Sequence, residues 1–318
     1  MNVALLHRLR EAGGGFVPWD ALGPDPSPAS TALDVDALEA FGFALERHPY
    51  LGVAYRGPAA RLCPDQIEWE LGTRVVGRRV AVWSRVTSTG DLAARASGSS
   101  ANEGLAVLAE EQSAGRGSRG RSWSAPAGSS ILMSVLLFPP DPLGDPAWLT
   151  ALGAVAVAGV VAGEFGIDAR IKWPNDVRVG DRKLAGVLVE RGKGTVLGIG
   201  LNANLARDDF PEGLRNSATS LRALLGRPVD RSETARSLLR RLDALYVEAI
   251  ASGPDSLNAP LRDRSEHLGH DVEVATPAGT LAGRLVDLGL RDGLTLALPG
   301  GETRRVAWPE VKAIVNRD

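Results

Sequence analysis

The sequence predicts an α/β (α+β) chain: a central mixed sheet packed with helices, a small helical module with a hairpin before it, and a small β-barrel after it. Three observations carry this prediction. Between residues 80 and 203, apolar runs of strand length alternate with helical patterns. Before residue 60 the apolar spacing is helical until two short β-prone runs close the segment. After His270 only short strands remain, separated by Gly, Asp and Pro turns. The domains expected are 1–62, 63–266 and 267–318.

In the first unit, residues 3–11 read as a helix with Leu5, Leu6 and Leu9 on one face, stopped by Gly13, Gly14 and Gly15. Residues 19–22 form a short second helix, broken by the proline-rich segment 24–28. Ser30 or Thr31 caps a third helix that runs to Phe41 and ends at Gly42. Residues 43–47 and 51–56 make a hairpin, and three helices plus such a wing is the winged-helix pattern. That pattern suggests DNA, yet residues 1–60 carry four arginines against seven carboxylates, a balance of −3. The would-be reading helix holds Asp34, Asp36 and Glu39 and no Lys or Arg, a face that repels phosphates.

The central unit opens with a helix over 64–71 and a strand over 80–83. The hydroxyl cluster around Ser88 and Thr89 caps a helix over 92–96. A second strand over 104–112 leads into Gly115, Arg116, Gly117, Ser118, Arg119, Gly120, Arg121, Ser122 and Trp123. Glycines let a ligand approach the main chain, and arginine forks match phosphate or carboxylate oxygens. Successive amides in such a loop can form an anion cradle, although a solvated basic turn is the simpler reading of the run alone. The spacing fits G-x-G-x-x-G, but residues 131–138 that follow are a strand and not a helix, so a dinucleotide fingerprint fails. No G-K-[ST] ends the run, so a P-loop fails as well.

Residues 146–165 form the long central helix, whose apolar run over 149–163 is too short to span a bilayer. Gly180 and Asp181 signal a tight hairpin that pairs Val179 with Arg182 and Arg178 with Lys183. Asp176 then lies diagonally from Lys183 on one face. A half-buried lysine needs an anionic partner, either Asp176 or a ligand. The strand over 195–203 carries Gly198, Gly200, Asn202 and Asn204, with glycines that leave room for a flat ligand. Residues 207–220 read as a polar loop and 228–250 as a helix with Leu238, Leu242 and Leu245 facing inward.

At 318 residues with 44% hydrophobic content the chain has room for two or three domains and a sizeable core. A net charge of −2 argues against nucleic acid or an anionic membrane as the main partner. The single cysteine, Cys63, excludes an internal disulfide framework and suits a reducing cytoplasm, and the start reads as helix with no signal peptide.

Taken together, these segments resemble the biotin–protein ligases of the three-domain bacterial type with an N-terminal winged helix. The residues that carry the resemblance are 115–123, then Lys172, Trp173, Pro174, Asn175 and Asp176, then 183–190 and 198–204. The resemblance implies an SH3-like barrel at the C-terminus and a two-step reaction. Biotin is activated by Mg-ATP to biotinyl-5′-AMP, and a lysine of the biotin carboxyl carrier protein of acetyl-CoA carboxylase then takes the biotin. It implies that Ser88, Thr89, Gly90, Gln112, Arg116, Gly117, Ser118, Lys183 and Gly186 bind biotin. Arg119, Arg121, Trp123, Asn175, Asn202 and Asn204, with the 207–220 loop, would hold the adenylate. Lys183, Arg116, Lys172 and Asp176 would act in catalysis, with Mg2+ near Asp176. The resemblance also implies a cytoplasmic protein without a membrane partner, and it allows a homodimer.

Ser118 stands where many bacterial members carry arginine, and Gly90 where they carry asparagine. With the acidic third helix, these are the departures. A lipoate–protein ligase and a biotin-responsive transcriptional repressor are the alternatives. The hydroxyl pair and Gln112 suit a polar urea head better than a dithiolane.

Overall fold

A computed structural model describes residues 1–22 and 28–317, and the proline-rich break expected over 24–28 lies outside them except for its last residue. The first unit comprises α1 (Val3–Glu11), β1 (Phe16–Val17), α2 (Pro28–Phe41), β2 (Ala44–His48) and β3 (Gly52–Gly57). Its strands form a sheet of order β1-β3-β2. The expected second helix is a short 3-10 turn, Trp19–Ala21, and α2 begins at Pro28, ahead of the cap expected at Ser30 or Thr31. Proline fits a first helical turn because its missing N–H has no partner to bond there anyway. Leu5, Leu6, Leu9, Val35, Leu38, Val53 and Cys63 close a core of this unit's own.

The central unit follows as α3 (Pro64–Glu68), β4 (Arg79–Val86), α4 (Thr89–Arg95), β5 (Leu105–Gln112), β6 (Ser130–Leu137) and α5 (Pro146–Phe165). Next come β7 (Arg170–Lys172), β8 (Asp176–Val179), β9 (Arg182–Arg191), β10 (Thr195–Asn202), α6 (Leu221–Leu225), α7 (Arg231–Ser252) and α8 (Asn258–Arg264). Seven strands make one mixed sheet of order β4-β5-β6-β10-β9-β8-β7. Only β4 and β5 run parallel, so a crossover must join them, and α4 is that crossover. Short as it is, α4 holds the ends of both strands together at the site.

Capping fixes the helices. Asp145 accepts the Ala147 N–H at 2.7 Å with Pro146 beside it, and Gly166 at φ 64° ends α5. Asp230 likewise receives the amides of Ser232 and Glu233. A Cβ on Gly153 would meet Val187 at 2.8 Å, so the glycine lets α5 lie close on β9. At 20 residues α5 is long and apolar enough to cross a bilayer, contrary to the expectation from sequence. Two thirds of its apolar window is buried, against the sheet and α7. Asp243 of α7 accepts the amides of Arg74, Val75 and Val76, which satisfies a buried carboxylate and pins the chain entering β4.

The last unit is an antiparallel sheet of β11 (Asp271–Thr276), β12 (Gly279–Gly289), β13 (Gly293–Ala297), β14 (Thr303–Val306) and β15 (Ala313–Asn316), in the order β14-β13-β12-β11-β15. Its Val272, Leu285 and Leu294 continue the apolar core of the central unit. Trp308 stacks on Trp173 of the site-bearing segment at 3.7 Å between ring centroids.

Candidate active site

The site begins at the carboxyl ends of the parallel pair, where Val86 lies opposite Gln112. Ser88 caps α4 by accepting the Gly90 N–H at 3.2 Å. The helix therefore starts three residues earlier than expected, and Thr89 and Gly90 belong to its first turn. Thr89 donates its amide to Gln112 Oε1 at 2.7 Å and its hydroxyl to the same oxygen at 3.0 Å. The Thr89 hydroxyl also lies 2.8 Å from Ser134 Oγ on β6. With Gln112 Oε1 fixed in this way, its Nε2 keeps both hydrogens free to donate into the cleft, having no partner among the described residues. Sequence reasoning missed Ser134 because its position beside Thr89 depends on strand order.

Arg116 does not hang free over an anion. Its fork is bidentate to Glu190 at 3.0 and 2.9 Å, and its other amine reaches Asp91 at 2.7 Å. Its hydrogen bonds to Glu190 and then to Asp91 raise the guanidinium pKa still further. A Cβ on Gly90 would sit 3.2 Å from both Arg116 Nη2 and Glu190 Oε2. The missing side chain thus makes the seat for this clamp, a physical account of the departure at Gly90. Glu190 shares its face of β9 with Gly186 and Leu188, so a period-two reading from Gly186 would have found it.

The loop over 115–123 closes on itself. Arg116 and Ser122 form an isolated bridge, Gly117 donates to Arg121 O at 2.7 Å, and Trp123 donates to Gly115 O at 2.9 Å. The Gly117 and Trp123 amides are therefore spent within the loop. Arg119, in the left-handed region at φ 59°, points away and donates to Lys312 O of the C-terminal unit.

The expectation that Gly200 leaves room for a flat ligand needs a correction. Gly200 pairs with Gly186 across β10 and β9, and the Trp123 indole lies over both. A Cβ on Gly200 would meet Trp123 Cε2 at 2.5 Å, and one on Gly186 would meet Cζ3 at 3.1 Å. The space is filled by the chain's own ring, and the buried Trp123 Nε1 has no partner among the described residues.

Trp123 and Lys183 divide the cleft into two compartments. The first, of about 50 Å³, is lined by Ser88, Thr89, Gln112, Ser134 and the Arg116 clamp, with Asn175 at its edge. The second, of about 340 Å³, takes Arg121, Lys172, Asp176, Arg178, Lys183 and Asn202, with Phe210 and Leu214 of the 207–220 loop as an apolar wall. Gly117, Ser118, Trp123 and Lys183 line both. The hairpin register matches expectation, with Val179 opposite Arg182 and Arg178 opposite Lys183, and a bulge next to Val177 sets Asp176 opposite Gly186. Lys183 Nζ forms a close ion pair with Asp176 Oδ1 at 2.5 Å. Arg178 is held by Glu266 at 2.9 Å, whereas Lys172 has no ion-pair partner among the described residues.

The three asparagines expected at the adenylate fare differently. Asn175 and Asn202 donate to the carbonyls of Val187 and Thr219 at 3.1 and 3.0 Å while still lining the cleft. Asn204 spends both ends on the Val229 main chain and lines neither compartment. Among the described residues no group of three His, Cys, Asp or Glu side chains could hold a metal, so Asp176 would offer Mg2+ one carboxylate.

The comparisons with known proteins agree with this geometry. The family model described as "Biotin/lipoate A/B protein ligase family" matches residues 82–204. A "Bifunctional ligase/repressor BirA" from Bacillus spizizenii is 30% identical over 302 residues, covering 92% of each chain. A "Biotin--[acetyl-CoA-carboxylase] ligase" from Mycobacterium tuberculosis is 36% identical over 230 residues, 69% of this chain and 85% of that one. Among solved structures, biotin protein ligase from Aquifex aeolicus in complex with biotin and ATP shares the fold at a TM-score of 0.66 and 24% identity, covering 76% of this chain and 100% of that chain.

Proposed function

The chain belongs to the biotin–protein ligase family, and from that premise we propose how its residues divide the reaction. It is an ATP-dependent ligase that activates biotin to biotinyl-5′-AMP and passes the biotin to a lysine of the carboxylase carrier protein. The observation that carries the assignment is the adjacency of two compartments, one neutral and hydroxyl-lined, one cationic, with Lys183 in the wall between them.

Thr89, Ser88, Ser134 and the free amide of Gln112 hold the ureido ring of biotin in the first compartment. Gly90 and Gly186 give it room, while Gly117 and Ser118 border the carboxylate end. That carboxylate attacks the α-phosphorus of ATP; the new C–O–P linkage forms as the bond to pyrophosphate breaks. Lys183 stands at the junction and stabilises charge on the α-phosphate oxygens, worth roughly 3–4 kcal/mol for one well-placed donor. Lys172 and Arg121 face the leaving phosphates, Trp123, Asn202 and the Phe210 wall take the adenosine, and Asn175 borders the biotin side. The ATP phosphates, with the Asp176 carboxylate, would hold Mg2+, which favours phosphate oxygens plus one or two carboxylates. In the second step the acceptor amine attacks the acyl carbon, AMP leaves, and the Asp176 carboxylate takes the amine proton.

Arg116 keeps a positioning role, since its charge is already matched by Asp91 and Glu190. Arg119 and Asn204 leave the set of ligand contacts. Residues 1–62, 63–266 and 267–318 are a winged-helix module, the ligase unit and an SH3-like barrel in this assignment, and the one buried thiol, Cys63, suits a cytoplasmic protein. ATP-dependent incorporation of labelled biotin into a carrier domain tests the whole, and no incorporation into any biotin-accepting domain would sink it.

A second reading, ligase and repressor together, has one observation for it: the relative named for both roles aligns over 92% of the chain. Against it, Arg47 on β2 is tied to Asp36 and Glu39 of α2, so the hairpin's cation is neutralised before any phosphate arrives. An operator shift that strengthens with biotinyl-5′-AMP would favour the second reading.

A further inference from the structure

We propose that a cavity lined by four arginines, on the far side of the 207–220 loop from the catalytic cleft, docks an acidic surface of the acceptor protein. The inference rests on the ligase reading above. Arg182, Arg207, Arg215 and Arg222 line a cavity of about 370 Å³. None of the four forms an ion pair among the described residues. Arg207 donates to Asn216 Oδ1 at 3.3 Å, Arg215 to Phe210 O at 3.2 Å and Asp208 O at 3.5 Å, and Arg222 to Asn204 O at 3.4 Å, while the Arg182 guanidinium has no hydrogen bond among the described residues. Asp208, Asp209 and Glu212 lie on the same loop, yet none comes within ion-pair distance of these guanidiniums. In the catalytic cleft, by contrast, Arg116 holds Asp91 and Glu190, and Arg178 holds Glu266. Four like charges gathered without counter-ions repel one another, so the fold gains nothing from the cluster unless an anion joins it. Thr219 in the floor is 1% exposed, and its hydroxyl has no partner.

The cavity's place in the fold names the occupant. Arg182 precedes Lys183 on β9, and the loop bonds Lys183 on both sides: Lys183 N to Ser217 O at 2.8 Å, Thr219 N to Lys183 O at 2.9 Å. Phe210 and Ala218 line both this cavity and the cationic compartment. A partner seated here stands one layer of chain from the lysine that holds the acyl-phosphate. Three of the four arginines are exposed and spread around the rim, which suits several carboxylates on a protein face. A small phosphate takes convergent, buried donors, and the nucleotide already has Lys172, Arg121 and Lys183 in the cleft. The reaction's one macromolecular substrate is the acceptor, so its acidic face is the occupant the geometry fits.

The test uses the full chain carrying Arg182→Glu and Arg222→Glu, with the Lys pair at both positions as the conservative control. The KM for a biotin carboxyl carrier domain should rise about tenfold in the Glu pair and stay near wild type in the Lys pair, and its salt dependence should flatten. Turnover with hydroxylamine, a small neutral amine that intercepts the acyl-adenylate without docking, should not change. An unaltered carrier KM would overturn the inference. So would a parallel fall in hydroxylamine turnover or weaker inhibition by pyrophosphate, which would make the cavity a small-anion site. Failure of the wild type to form acyl-hydroxamate at all would instead strike the ligase reading beneath it.

Discussion

The two compartments of the cleft meet at one indole and one ammonium, and they handle charge in opposite ways. On the first side Arg116 sits between Asp91 and Glu190, and apart from the shared Lys183 the remaining groups are hydroxyls, amides, glycines and apolar side chains. On the second side Lys172 and Arg121 have no carboxylate partner among the described residues, while Lys183 is paired with Asp176 at 2.5 Å. A neutral polar ring gains from fixed donors and acceptors that leave no net field. Phosphates gain from cations waiting for them. The difference teaches that the substrate order along the cleft is written in where carboxylates were placed, and less in where arginines were.

The strongest way to break this comparison is at the shared wall. Lys183→Ala should lower biotin-dependent ATP–pyrophosphate exchange by about 10²–10³-fold, the loss that follows removal of one preorganised donor to a developing anion. Full activity would mean that the acyl-phosphate forms elsewhere. Merging the compartments comes next. Gly200→Val puts a branched side chain where the Cβ alone would meet Trp123 at 2.5 Å, so the indole must leave its slot. Such overpacking destabilises by about 1–3 kcal/mol, visible in thermal unfolding, and a wall displaced by an ångström lowers exchange by roughly 10²-fold. Adding Trp123→Ala to the same chain should return stability; purely additive losses would show that the ring and the glycine do not meet.

Smaller effects separate the two sides. Thr89→Val removes a hydroxyl that joins Gln112 to Ser134. A buried group left unpaired costs about 1–3 kcal/mol, so the biotin KM should rise roughly tenfold while the ATP KM holds. Equal shifts in both would erase the boundary. The smallest effect concerns the scaffold, since no histidine lines either compartment. Burial first, then neighbouring Arg236, lowers the pKa of His7, and burial likewise lowers that of His267. The unfolded chain then takes up protons that the folded chain refuses. The stabilisation is complete above the ordinary histidine pKa of about 6.5 and is lost as pH falls below it. Urea midpoints should be level from pH 7 to 8 and decline toward pH 5.5, less steeply in His7→Gln. A midpoint independent of pH would contradict the assignment.

The junctions of the flanking units show how far the sequence could be read. The helix-and-hairpin unit keeps its own core and touches the centre through polar pairs, Arg10 with Glu233 and the Met1 amine with Asp65. Its outline was legible because its apolar spacing is local. The C-terminal strands were legible singly, yet nothing local says that their apolar face joins the central core or that Trp308 covers Trp173. Boundaries slipped where capping outweighed apolar spacing: Ser88 starts α4 at Thr89, which turns a loop pair into a helix terminus aimed at the cleft.

By itself the sequence determined the kinds of element, the hairpin register that puts Lys183 near Asp176, and the motif residues in their order along the chain. These follow from backbone preferences and side-chain periods that act over a few residues. Only the tertiary structure decided that Glu190 and Asp91 neutralise Arg116, that Ser134 completes the Thr89 network, and that Trp123 occupies the space two glycines leave. Each of those depends on which strands become neighbours across a seven-stranded sheet. Strand order is settled by burial of the whole core, and no short window of residues contains it.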